Sequence, residues 1–332
     1  MPEYLAPGVY VEEVPSGPVP IQGVGTSTAG MVGLTERGPL QPRLVTGWGD
    51  YQAWFGSLID PAVSFLPWAV KGFFDNGGQR LFVARAAAAN AVAAALDHGT
   101  AGAPQTLLVS ANGPGAWGNN IFLRIEPGSN FDPNNPPDPA PITVTVLYYR
   151  TQPPLPLVDP FDPQHIAHAD RREPDIVESY ENVGWRPDMA DFFIPLINAR
   201  SKLIDIDWGD PAQPPARPDD LPDFVQLDSV AGDDGSGLGA GDLLGDDADP
   251  PGTRTGLAGL GDIDEVAILA VPDHVNDTLF PGTADRDALR DGMINQCELL
   301  RDRFAVVSVD RLQGDVGTIR PPRDSSYAAF YA

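Results

Sequence analysis

One cysteine, two lysines and four histidines in 332 residues leave little material for several kinds of chemistry. A single thiol, Cys297, excludes an intramolecular disulfide and any zinc cluster built on cysteines. No apolar run approaches the roughly 18–20 residues needed to span a bilayer, and the opening MPEYLAPGVYVEEVP has neither a basic n-region nor an apolar h-region. Neither membrane insertion nor a signal peptide is expected, and folding in the cytoplasm is. Basic residues are scarce as well: 21 against 46 acidic ones, a net charge of −25, which repels phosphate backbones and anionic lipid alike. Nucleic acid is not an expected partner. Nucleophile elbows, Walker loops, dinucleotide fingerprints and HExxH zinc helices each need a fixed spacing, and none of those spacings occurs. The chain is expected not to be an enzyme, and no catalytic, cofactor-binding or metal residues are assigned.

What is present is ample core material, 42% hydrophobic residues in a length sufficient for two domains. Residues 1–25 set Val9, Tyr10, Val11, Glu12, Glu13 and Val14 among five prolines, so they read as an extended arm with too few apolar residues for its own core. Such a strand needs a sheet edge to pair with, and those six residues are the candidate subunit-linking segment. From Thr26 a packed domain begins with the strand-like TAGMVGLT. RLVTGWGD follows, where Thr46 or Asp50 could cap a short helix over Tyr51, Trp54 and Phe55. Phe65, Trp68, Ala69 and Phe73 recur at helical spacing, and Asn76, Gly77 and Gly78 stop that helix before the strand LFVAR. A second unit of this kind lies near the other end. EVAILAVP reads as a buried strand, a helix puts Leu289, Met293, Cys297, Leu300 and Phe304 on one face, and FAVVSVD returns as a strand. Two such units predict a layered α/β core, 26–100 with 256–332.

Between them QTLLVS, GAWGNNIFLRIEP and PITVTVLYYR are short β-rich runs separated by turn residues, which predicts an inserted β-rich domain over 101–207. DFFIPLINARSKLIDID adds a short helix and a closing strand. From 208 to 255 the Asp, Gly and Pro content rises, and a surface loop is expected there.

Four weak chemical signals each have a plainer reading. GVGTSTAG, with Gly23, Gly25 and Gly30, has the flavour of a phosphate loop but lacks the Gly-Lys-Ser/Thr ending, so strand and turn flexibility is favoured. His165 and His168 are three apart, but their segment is loop-like and offers no third soft ligand. Asp233, Asp234, Asp242, Asp246, Asp247 and Asp249 could suggest calcium, yet the EF-hand order and the Gly/Asp nonapeptide repeat are both missing. Asp273, His274, Asn276 and Asp277 follow an apolar strand, where α/β enzymes keep catalytic groups, but they also suit a turn and a helix cap. An enzyme using Asp273, His274 and Asp277, or a calcium-dependent surface-binding module, stand as the alternatives to a structural role.

An ordered series of strings carries more. PGVYVEEVPSGPVPIQGVGTSTAGMVGLTERGP is followed by LVTGWGDYQAWFG, VKGFFDNGGQRLFVAR, GAWGNNI, ENV, INARSKLI, DDADPPGTRTGLAGL, DEVAILAVPD, CELLRDRFAVV and DSSYAAFYA. From Pro7 to Ala332, with gaps in the inserted domain and the Pro-rich loops, this series resembles contractile tail sheath proteins. The resemblance implies a subunit that stacks in rings around an inner tube and rotates as a nearly rigid body from an extended to a contracted lattice. It implies further copies of itself or closely related sheath paralogues, the tube, baseplate and terminator or cap proteins as partners, and an N-terminal arm paired with strands of neighbours. The particle would be a phage tail or a phage-tail-like injection system. Family members continue past a motif like SSYAAFYA with an aromatic strand and a further domain, so a longer parent chain is implied.

Overall fold

The computed structural model describes residues 28–99, 106–129, 140–210, 216–309, 319–321 and 323–331. The candidate arm, including Val9 to Val14, lies outside the described residues. The chain opens with β1 (Thr28–Gly33), β2 (Arg43–Val45), α1 (Trp48–Phe55), α2 (Leu66–Asp75) and β3 (Arg80–Arg85). It continues through β4 (Ala95–Gly99), β5 (Thr106–Ala111), β6 (Ile121–Pro127), β7 (Ile142–Tyr148), β8 (Ile176–Val183), α3 (Phe193–Arg200), β9 (Ile204–Trp208) and β10 (Leu221–Gln226). It then returns through α4 (Ala240–Leu244), α5 (Gly256–Gly261), β11 (Ile268–Ala270), α6 (Thr283–Leu300), β12 (Phe304–Ser308) and β13 (Ala328–Tyr331).

The fold is α/β, built on a six-stranded sheet ordered β13-β12-β11-β1-β3-β2, parallel except for β2. Alternation along its strands separates two cores, as a parallel sheet covered on both faces requires. Ala29, Leu81 and Val83 pack with Tyr51, Phe55, Leu66 and Val70 beneath α1 and α2. Val32 and Ala84 pack with Leu243, Leu257, Leu260, Leu289 and Met293 beneath α4, α5 and α6. Gly30 sits in the central strand because a Cβ there would come within 3.0 Å of Leu260 Cδ1 and Val266 Cγ1, so the glycine lets α5 seat on the sheet.

Two antiparallel sheets, β10-β6-β7-β8 and β4-β5-β9, share a third core that includes Ile121, Ile125, Val146, Phe193 and Leu203. β4 and β10 fall outside 101–207, so the β-rich part draws in strands on both sides of that interval.

Several expectations are corrected. The stretch 208–255 is not all loop: it holds β10 and α4, with Leu227 and Leu243 fully buried, because a few well-placed apolar residues suffice when neighbouring elements supply the rest of the core. The buried face of α2 is Leu66 and Val70, while Trp68 is 45% exposed and is held by its indole N–H to the Ile59 carbonyl at 3.0 Å. α6 ends at Arg301, whose left-handed φ of 62° turns the chain; Leu300 is therefore exposed and Phe304 opens β12 instead of extending the helix face. α1 is capped at Gly47, and Asp50 reaches back from the first turn to accept the Thr46 N–H at 3.1 Å. EVAILAVP contributes only the three residues of β11 before turning into a 3-10 helix at Pro272–Val275.

Candidate functional site

The end of β11 is where catalytic groups would be sought in an α/β sheet. Asp273 is fully buried there. Its carboxylate accepts the Ser64 hydroxyl at 2.5 Å and the Phe65 N–H at 2.6 Å, tying β11 to the start of α2. Burial pushes its pKa up, against the opposing pull of Ser64, the Phe65 N–H and Asn276. His274, 2% exposed, sits with Nδ1 2.5 Å from the Val271 carbonyl, and its Nε2 accepts the Ser308 N–H at 3.1 Å, pinning the end of β12. Asn276 Oδ1 accepts the N–H groups of Thr278 and Leu279. Asp277 is half-buried and takes no part in these bonds. Ser64 and Asp273 are closed from solvent, and with His274 these groups act as a joint between three elements.

The other candidates also resolve into local structure. Asp233 accepts the Gly235 N–H, Asp234 the Ala116 N–H, Asp242 the Gly239 N–H and Asp246 the Ala248 N–H, all at 2.7–2.9 Å. Asp247 and Asp249 offer backbone carbonyls to Arg254. Asp233, Asp242 and Asp246 thus serve their own turns or cap and Asp234 the turn at Ala116, and no group of three or more His, Cys, Asp or Glu that could hold a metal occurs among the described residues. The rings of His165 and His168 meet edge-on at 6.1 Å in an exposed turn. Gly23 and Gly25 lie outside the described residues. Cys297 is buried in the core under α6, which pushes its thiol up to about 12.

Sequence reasoning passed over a polar seam between the six-stranded sheet and the β-rich part. Arg37, 3% exposed, sends Nη1 to the carbonyls of Ala53 and Trp54 at 2.8 and 2.9 Å and Nη2 to that of Gln52 at 2.8 Å. It thereby caps the C-terminal end of α1, the negative end of the helix dipole. The same guanidinium lies 5.2 Å from the centre of the Tyr148 ring on β7. Glu36 accepts the Ser57 N–H at 2.9 Å, Arg150 Nε–H at 3.0 Å and the Tyr148 hydroxyl at 3.3 Å. Burial alone would raise its pKa, but Arg150, the Ser57 N–H and Arg37 together hold it below the usual carboxylate value. Beside it Arg43 and Lys202 sit over the Trp54 ring at 4.8 and 5.8 Å. Gly113 allows backbone to meet backbone, since a Cβ there would stand 2.2 Å from the Gly38 carbonyl. The available signal was the adjacent charge pair Glu36-Arg37 directly after an apolar strand.

No family model matches the chain, and no curated protein matches it. Among solved structures it is similar at fold level to a sheath tail protein from Listeria innocua, with 11% identity and a TM-score of 0.41. The match covers 85% of this chain and 47% of that one, so the chain spans about half that protein's length. Among the described residues no helix is long and apolar enough to cross a membrane.

Proposed function

We propose that this chain is a structural subunit of a contractile tail sheath, which polymerises around an inner tube and contracts to drive the tube through a target envelope. The observation that supports this reading is where four of the ordered sheath-like strings fall: they supply joints between elements. In GAWGNNI, Asn119 clamps Gly232 through both amide groups, at 2.9 and 2.7 Å. In INARSKLI, Asn198 clamps Ile206 in the same way, at 2.8 Å in both directions. TERGP supplies the Arg37 cap, and CELLRDRFAVV supplies buried Arg303, whose guanidinium takes the carbonyls of Leu260 and Ile263. A lattice that transmits force by moving whole subunits needs a stiff subunit more than it needs a reactive one. At the margin of the sheet, DSSYAAFYA provides β13, an edge strand among the described residues that suits strand addition.

On this reading the core 26–100 and 256–332 carries the β-rich insertion, and Val9, Tyr10, Val11, Glu12, Glu13 and Val14 pair with a neighbour's strands. Partners are further copies, the inner tube, the baseplate and a terminator or cap protein, in a phage tail or phage-tail-like particle assembled in the cytoplasm. Negative-stain microscopy of the protein produced together with its tube and baseplate proteins tests the proposal. Hollow rods of fixed helical pitch support it, and discrete particles alone refute it. Replacing Val9 and Val11 with proline, which removes ladder donors, should abolish rods while leaving the far-ultraviolet circular dichroism unchanged; normal rods from that variant would remove the linking role of the arm.

A further inference from the structure

The helical layer formed by α4, α5 and α6 has a feature that neither the core nor the proposed lattice role uses. Between α6 and the α4–α5 pair lies an open groove of about 580 Å³ with an apolar lining that includes Leu244, Leu257, Leu299 and Leu300. Leu299 is 80% exposed and Leu300 38%, far from the usual treatment of two consecutive leucines. On α6 the residues Gly292, Gln296 and Leu299 follow one another at i, i+4 and i+7, a second stripe beside the buried Leu289, Met293 and Cys297 face. Gly292 sets the depth, because a Cβ there would come within 2.4 Å of Leu244 Cδ2. Gln296 donates its amide N–H to the Leu257 carbonyl at 2.8 Å, but its Oε1 is buried without a donor.

Charge indicates what kind of segment would fit the groove. Arg254 is committed to Asp262 and to the Asp247 and Asp249 carbonyls, and Arg323 to Glu298 and Asn295. Asp246, Asp247 and Asp291 keep exposed carboxylates with no cation partner among the described residues. A second copy of this chain, at a net charge of −25, would bring mostly acidic surface to these carboxylates and is the poorer fit at this groove, wherever copies meet elsewhere.

We infer that this groove is a docking site for an amphipathic helix of a different protein, one whose apolar face carries leucine-like side chains and whose flanks carry lysine or arginine. The apolar face covers Leu299 and Leu300, and the basic flanks lie over Asp246, Asp247 and Asp291. This inference does not depend on the sheath reading, and its test uses no lattice.

The probe is a fluorescently labelled amphipathic helical peptide of leucine and lysine, about four turns long, followed by anisotropy with the chain as it stands. The expected result is saturable binding that weakens at least tenfold in Leu299→Glu, a surface substitution that leaves melting unchanged. That variant adds negative charge, so attraction by charge alone would tighten it. Unchanged or tighter binding to Leu299→Glu overturns the proposal, as does equal binding of a peptide with glutamate in place of lysine. Sedimentation of the wild type supplies the remaining outcome: self-association that Leu299→Glu abolishes would make a second copy the occupant and overturn the choice of partner.

Discussion

A half-buried carboxylate, Glu36, and a fully buried one, Asp273, respond to their surroundings in opposite directions, and the difference is measurable. Glu36 is held below its ordinary value by Arg150, the Ser57 N–H and Arg37, which together outweigh its burial. Its contribution to stability is therefore present above the unfolded carboxylate pKa and is lost as pH falls through the lower folded value. Asp273 is raised by burial, so the folded state holds its proton longer than the unfolded chain does. Its contribution is greatest at low pH and declines as pH rises from the ordinary carboxylate range to the raised value. Denaturant titrations from pH 3 to 7 should show the stability difference between wild type and Glu36→Gln shrinking toward acid. For Asp273→Asn, the variant should gain on wild type as pH rises through mild acid. Parallel curves for either pair would remove the corresponding assignment. Asp273 also shows the limit of reading position alone: its place after an apolar strand was legible, but the Ser64 hydroxyl and Phe65 N–H that consume it come from a segment about 210 residues away in sequence.

At the scale of elements, β1, β3, α6 and β12 were legible because their apolar residues follow the periods of a strand or a helix without help from neighbours. α4 was not, since five residues of AGDLL carry no period, and it exists because Leu243 enters the core shared by Leu257 and Leu289. Leu243→Ala should accordingly cost about 2–4 kcal/mol in denaturant unfolding, where an ordinary surface loop would show almost none. The spacing of Phe65, Trp68, Ala69 and Phe73 marks a helix, yet α2 buries Leu66 and Val70; amphipathic spacing fixes a helix, but which stripe turns inward depends on the sheet it meets. The end of α1 depends on a residue outside it. Arg37 supplies donors to three of its last carbonyls in a planar fork that lysine cannot reproduce, so Arg37→Lys should destabilise nearly as much as Arg37→Met, each by about 3 kcal/mol or more. Full recovery of stability in the lysine variant would show that charge, not fork geometry, is what α1 needs.

Across the whole molecule, the apolar clusters on the two faces of the six-stranded sheet share no residue with the cluster of the β-rich part. Hydrophobic burial alone would let the two parts melt separately, and what joins them is the seam of Glu36, Arg37, Tyr148, Arg150 and the cation-flanked Trp54. A net charge of −25 makes that seam more consequential, because the carboxylates dispersed over both parts repel one another. Wild-type protein should therefore unfold in one calorimetric transition whose van't Hoff and calorimetric enthalpies agree. Combining Glu36→Gln with Lys202→Gln should leave both cores intact yet divide that transition into two, the more so at low ionic strength, where repulsion across the loosened seam is least screened. Arg37 is left in place so that α1 keeps its cap and the α/β sheet does not fail for its own reasons. A single transition surviving in the double variant would mean that backbone approaches such as Gly38 to Gly113, and not the charged pairs, make the subunit one body.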